Sequence, residues 1–340
     1  MDIDQLTNLQ QHPELFEQTI TLIEKSFGYQ KGESFKKDFY PLIEKDNSHQ
    51  NFIFRENGEV IGHAGVKVRF LGNSQFCIKV ALIGGVAVAE NHRRKGILTK
   101  LFQNIFENFD ETVGLYILWG DAADIYKKFG FFHAGVVFES LGSKNPSFEK
   151  RFTKTKFKSL NREELTQIKN IYQEFTLKKY FSFLRSEKDW ENIKNIESCD
   201  LYILKNKDEK IVGYFCKNKG MDLTGIVHEY GFLGEAENSL FELLNTFKTW
   251  SPAHPFKEIT EKILYQGLFR RGNLDLLNQF LQTRSQGFLK ILRWEGFEVK
   301  FLIGKKIVNI QEAVFFEYIF GNLLPKDISL PLFFSGLDSV

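Results

Sequence analysis

Between Val86 and Thr99 the chain reads V-A-V-A-E-N-H-R-R-K-G-I-L-T, an apolar strand that turns at a basic cluster and enters a helix through a glycine. The first amides of a helix have no partner inside it and sit at the positive end of the helix dipole. With Arg93, Arg94 and Lys95 beside them, these amides form a seat for a phosphate-bearing ligand. A strand running straight into that seat can align the rest of an elongated molecule. The strand before, the glycine after and the helix beyond set this run apart from an ordinary solvated basic loop. A nucleoside triphosphate site would call for a Gly-Lys-Ser/Thr loop and metal-ligand acids, and neither accompanies this turn.

Periodicity indicates the elements that must position the turn. Pro13 opens a helix whose stripe of Leu15, Phe16, Ile20, Leu22, Ile23 and Phe27 is stopped by Gly28. A second helix is expected over 33–46, kinked or split at Pro41. Residues 51–55 and 59–70 read as a hairpin around Asn57-Gly58. The apolar run 80–89 suits a strand covered on both faces. Within it, Gly84-Gly85 mark a bulge that splays the strand from its neighbour. A helix at 96–109, a strand at 113–119, a short helix at 122–129 and strands over 131–141 complete a mixed sheet with helices on both faces.

Residues 143–158 turn basic and polar and read as a linker. Beyond them the order recurs: helices at 163–175 and 188–196, a hairpin of 201–205 and 210–217, a strand at 225–233 and a helix at 235–247. Val60-Ile61-Gly62 matches Ile211-Val212-Gly213, which supports an internal duplication. The second copy enters its last helix through Gly234-Glu235-Ala236-Glu237. Carboxylates there suit the helix dipole but repel a phosphate, so ligand binding is expected of the first copy alone. Helices at 274–281 and 310–320 and a strand at 297–303 follow, and Arg270-Arg271-Gly272 reads as surface.

Composition narrows the partners. A length of 340 residues allows two domains, and 45 basic against 43 acidic residues leave a net charge of only +2. Duplex nucleic acid and anionic membranes are therefore not expected as partners. The run 80–89 is far short of the roughly 20 residues that span a bilayer. The opening Met1-Asp2-Ile3-Asp4 lacks a secretory pattern, so a cytoplasmic location is expected. Cys77, Cys199 and Cys216 have no paired spacing, so neither a disulfide framework nor a metal site is indicated.

The spacing of Val88, Arg93 five residues on, Gly96 eight on and Leu98 ten on resembles the acyl-CoA signature of the GNAT superfamily of N-acetyltransferases. Residues 13–141 resemble that family in element order as well. The block Ala122-Ala123-Asp124-Ile125-Tyr126-Lys127-Lys128-Phe129-Gly130-Phe131 is similar to the family's downstream helix, whose tyrosine faces the cofactor sulfur. The doubled basic residues, Ile97-Leu98 and the Ile-Tyr-x-x-Phe-Gly phrase most resemble the multidomain enhanced-intracellular-survival type. The resemblance implies an α/β (α+β) fold of tandem mixed sheets flanked by helices. It implies an active, acetyl-CoA-binding domain over 1–145 and a degenerate copy with extra C-terminal elements over 151–340. Leu98 stands where the signature has a small residue. The chain is also shorter than that subgroup, whose third domain resembles sterol-carrier proteins, so the part after about 256 has no assigned role.

For acetyl-CoA as co-substrate, the resemblance assigns the pyrophosphate to the amides of Lys95, Gly96, Ile97, Leu98 and Thr99, with charge from Arg93, Arg94 and Lys95. The pantetheine arm is expected to pair with the backbone edge of Val86, Ala87 and Val88, one of whose amides polarises the thioester carbonyl. Tyr126 is the expected proton donor to the leaving thiolate, a transfer uphill from a phenol of pKa about 10 to a thiol of about 8.5. For the base, the candidates are Glu90 and Asp121 at strand ends near the expected cleft and His63 on the second strand of the hairpin, and the resemblance adds the carboxylate of Val340. With no cysteine nearby, direct attack by a primary amine in a ternary complex is expected. The acceptor is a small-molecule or peptide amine; a polycation would need a carboxylate-lined pocket, to which Asp38, Asp121, Asp124 and Glu139 are candidates. The alternative is an acyl-CoA-binding protein without catalysis, serving recognition or regulation.

Overall fold

The computed structural model describes residues 5–73, 75–120, 122–143, 145–252, 260–321 and 332–340. The first half supplies β1 (Gln5–Asn8), β2 (Asn51–Glu56), β3 (Glu59–Gly72), β4 (Cys77–Val88), β5 (Leu115–Leu118), β6 (Phe132–Ala134) and β7 (Val137–Ser140). The second supplies β8 (Thr153–Thr155), β9 (Ser182–Phe183), β10 (Asp200–Lys205), β11 (Ile211–Lys217), β12 (Val227–Phe232), β13 (Thr249–Ser251), β14 (Thr260–Leu264) and β15 (Gly267–Arg271). A meander of β16 (Leu289–Glu295), β17 (Glu298–Ile303) and β18 (Lys306–Gln311) follows.

Two large mixed sheets result, as the tandem reading expects. One runs β1-β2-β3-β4-β5-β15-β6, with β9 also paired to β3, and the other runs β14-β7-β13-β12-β11-β10-β8. Each has its parallel pair at the same place, β4 with β5 and β12 with β13. The two sheets exchange strands. Residues 131–141 were expected to finish the first sheet, but only β6 stays there; β7 crosses to lie between β13 and β14. In return β15 comes back to fill the matching place between β5 and β6. A cut near residue 145–150 therefore does not separate the sheets. Arg270 is in this inserted strand and not in a surface loop: its guanidinium lies 3.7 Å above the Phe106 ring and bonds Asp110 at 2.9 Å.

The apolar run in β4 serves two cores because successive side chains alternate faces. Val80 and Leu82 join the helix Phe16–Phe27 in one core, while Ala81 and Ile83 face Ile97, Leu101, Phe102 and Ile105 of the helix Ile97–Phe109 in the other. Burying each of these large side chains contributes about 1.5–3 kcal/mol. The expected helix over 33–46 is split at Pro41 into Phe35–Asp38 and Tyr40–Ile43. The expected linker 143–158 is structured instead: Asn145 caps the helix Pro146–Glu149 and β8 pairs with β10. The expected helix over 310–320 starts only at Glu312, because β18 extends to Gln311. Helices Leu274–Arg284 and Glu312–Phe320 pack with the meander into the core of the first sheet. Among the described residues no helix is long and apolar enough to cross a membrane.

Candidate active site

The expected parting of strands is present at the Gly84-Gly85 pair. β4 and β5 run in register from Val80–Leu115 to Ile83–Leu118, and their pairing stops there. On the other edge, His63 pairs with Ala87 but Gly65 with Gly84, so β4 holds one residue more than β3 and bulges. Gly85 takes φ 59° at that bulge. The fully buried His63 braces it through a 2.7 Å bond from Nδ1 to the Gly85 carbonyl. Burial holds the His63 pKa at about 4, against the pull of that bond. A neutral ring locked behind the strand does not line the cleft, so His63 supports the bulge and is set aside as a base.

Beyond Val88 the chain makes a short turn over Glu90–His92, fixed by His92 Nε2 to Glu56 at 2.8 Å. Arg93 folds back, its Nε donating to the Val88 carbonyl at 3.4 Å. Arg94 and Gly96 both adopt left-handed backbone, with φ 64° and 82°. A Cβ at Gly96 would meet no atom within 4 Å, so space lies open there. The first helical bond runs from the Lys100 amide to the Gly96 carbonyl at 3.0 Å, and no side chain caps the start. Among the described residues, the amides of Lys95 to Thr99 meet no protein acceptor, and Arg94 and Lys95 have no acid within ion-pair distance. The equivalent turn of the second copy carries Glu235 and Glu237.

A cleft of about 400 Å³ opens where the strands part, lined by Ile83 to Val86, Leu118 to Gly120, Tyr126 and residues from both halves. Tyr126 stands at this wall, its ring 5.8 Å from Phe102 and 6.3 Å from Phe131. Burial pushes its pKa up, so the phenol keeps its proton through neutral pH. Val340 lines the same cleft. Its carbonyl carbon and oxygen are 2.2 Å from where a Cβ on residue 84 would be, so only glycine fits there. Glu90 is exposed on the turn and does not line the cleft, and Asp121 lies outside the described residues.

The segment ending at Val340 is held from both sheets. Asp338 is fully buried, bonded by Arg185 at 2.7 and 3.0 Å and by Arg69 of β3 at 3.3 Å. Arg185 also pairs with Glu229 of β12, which accepts a further bond from the Tyr214 hydroxyl at 2.7 Å. Lys219, 1% exposed, donates to the Gly336 carbonyl at 2.6 Å and to the carbonyl and hydroxyl of Ser339 at 2.9 and 2.6 Å. Burial pulls its pKa down to about 7, yet these acceptors match the three N–H bonds of an ammonium. Sequence reasoning missed Lys219 because a lysine in a turn between strands carries no periodic signal.

Among the described residues, the acids considered for a polycation pocket do not form one. Asp38 is buried, within reach of the Tyr29 hydroxyl and Ser198. Glu139 is held by Trp250 Nε1 at 2.9 Å and Lys248 at 3.1 Å, and Asp124 is exposed on its helix.

The description of the GNAT acetyltransferase domain matches residues 10–134. No curated protein sequence matches the chain. Among solved structures it is similar to an Enterococcus faecalis V583 protein of unknown function described as a probable N-acyltransferase, with 12% identity and TM-score 0.61 over 92% of this chain and 86% of that one. It is also similar to Eis1 from Mycobacterium abscessus, with 14% identity and TM-score 0.54 over 91% and 85%. A third similar structure is the Saccharomyces cerevisiae N-myristoyltransferase with bound myristoyl-CoA, with 11% identity and TM-score 0.52 over 80% and 79%. These likenesses extend the two-sheet fold over most of the chain, and the domain match agrees with the parted strands and the basic helix start. Residues 10–134 thus match the GNAT acetyltransferase domain, and beyond them the likeness to solved structures is one of fold.

Proposed function

We propose that the protein transfers an acetyl group from acetyl-CoA to a primary amine by direct attack in a ternary complex. The parting of β4 from β5 at residue 84, leading into an uncapped and basic helix start, is the observation that carries this reading. The residues present fit the co-substrate. The open amides of Lys95 to Thr99 would hold its pyrophosphate, with charge from Arg94 and Lys95. The edge of Val86 to Val88, left without a partner beyond Ile83, would take the amides of its pantetheine arm. When bound, acetyl-CoA supplies an acyl group activated on sulfur. A backbone amide of that edge polarises the carbonyl as the amine bonds to it, Tyr126 delivers a proton to the sulfur as the C–S bond breaks, and the proton of the attached amine passes to water. The second copy, with acids at its helix start, serves as scaffold.

Two substitutions test this. Arg94→Ala is expected to weaken CoA binding by about 1–3 kcal/mol in calorimetric titration, the range for a charge-assisted contact. An unchanged dissociation constant would remove the assigned seat. Tyr126→Phe is expected to lower kcat about 100-fold while CoA affinity stays within twofold, as for loss of a general acid. Wild-type protein that binds CoA yet turns over no amine would favour binding without catalysis.

A further inference from the structure

Resting on the acetyltransferase reading, we propose that the acceptor is a primary monoamine on an aromatic or comparably apolar body, and not a polycation. The cleft past Gly84 is walled by rings from separate parts of the chain. Phe35 and Phe39 stack with centroids 5.0 Å apart, and Tyr29 meets Phe35 edge-on at 6.3 Å. Phe27 stands at the rim, 48% exposed, and Trp119 meets Phe334 edge to face at 5.8 Å. A ring entering this space finds edge and face partners and leaves water, which is how apolar pockets select their ligands.

The charges point the same way. Among the described residues, Asp222 at the rim is the one carboxylate side chain on the cleft wall, and its field already acts on Tyr29 and Lys219. A chain of cations would bring like charge against Lys219 and leave further cations among rings without a counter-charge. The face of Phe39 that could hold a second cation already carries Lys219, 4.2 Å from the ring centre.

The test measures thiol release from acetyl-CoA with 2-phenylethylamine, tryptamine, spermidine, kanamycin and an Ala-Ala dipeptide. Thermal shifts with each amine are recorded in parallel, with and without CoA. The expected result is a kcat/KM for the arylalkylamines at least about 100-fold above the others, with Tm raised by the same amines. Equal or better turnover or Tm shift with spermidine, kanamycin or the dipeptide overturns the proposal, as does the absence of any shift with the aryl amines. Phe27→Asp, at the exposed rim, is expected to raise KM for phenylethylamine about tenfold, within the range of a lost apolar contact, and to narrow the gap to spermidine. Unaltered selectivity in that variant counts against the assigned walls. Failure of CoA to bind in calorimetry strikes the acetyltransferase reading itself, independently of which amine is preferred.

Discussion

Replacing Gly84 with alanine is expected to lower kcat/KM by about 100-fold or more, the scale set by displacing a reacting group by an ångström. The added methyl would lie 2.2 Å from both the carbonyl carbon and the oxygen of Val340, well inside van der Waals contact. Either Val340 or β4 must retreat, and each movement disturbs the mouth of the parted strands. The proposed pyrophosphate seat lies twelve residues further on, so CoA affinity should fall much less than turnover. Gly120, on the same wall, is the natural control: a Cβ there meets its nearest neighbour, Leu118 Cδ2, at an ordinary 3.5 Å. Gly120→Ala should change turnover far less. The measurement pairs steady-state thiol release with calorimetric CoA titration and a melting curve. A Gly84→Ala protein with wild-type turnover would show that the mouth of the parted strands does not position the reaction.

Arg185→Met is expected to lower the free energy of unfolding by about 3–5 kcal/mol, the scale for removing one partner from a buried ion cluster. Glu229 and Asp338, both fully buried, would be left side by side with their principal cation gone. The pH dependence should also change sign. In the wild type, Arg185 holds the Glu229 carboxyl below its usual range despite burial. A depressed folded pKa contributes stability above the unfolded value of about 4.3. That stability is lost as pH falls through the folded pKa. Without Arg185, burial raises the Glu229 carboxyl, so the variant should instead lose stability as pH rises through its raised value. Denaturant melts from pH 3 to 8 distinguish the two slopes. The same variant loosens the segment that carries Val340, so its turnover should fall with its stability.

The strand, basic turn, glycine and uncapped helix start were legible because they form one backbone device, contiguous over Val86 to Thr99. The bulge could be read from Gly84-Gly85 for the same reason. The walls of the cleft were hidden, because Phe35, Trp119, Lys219 and Phe334 come together only through the fold, and a buried aromatic in sequence looks like any core residue. His63 illustrates the converse error. A histidine on the strand beside the site suggested a base, but with no side chain of its own the bulged glycine leaves room for the ring behind it, and burial keeps the ring neutral. The placing of β7 and β15 was equally invisible, since Val137–Ser140 and Gly267–Arg271 carry the same short pattern whichever sheet receives them.

That reciprocal placement has a consequence for how such a chain can change. Once each half relies on the other for a slat in the middle of its own wall, a gene fragment encoding either half describes a product with a missing plank. Neither half can therefore be discarded by truncation, and the persistence of both needs no separate catalytic duty for each.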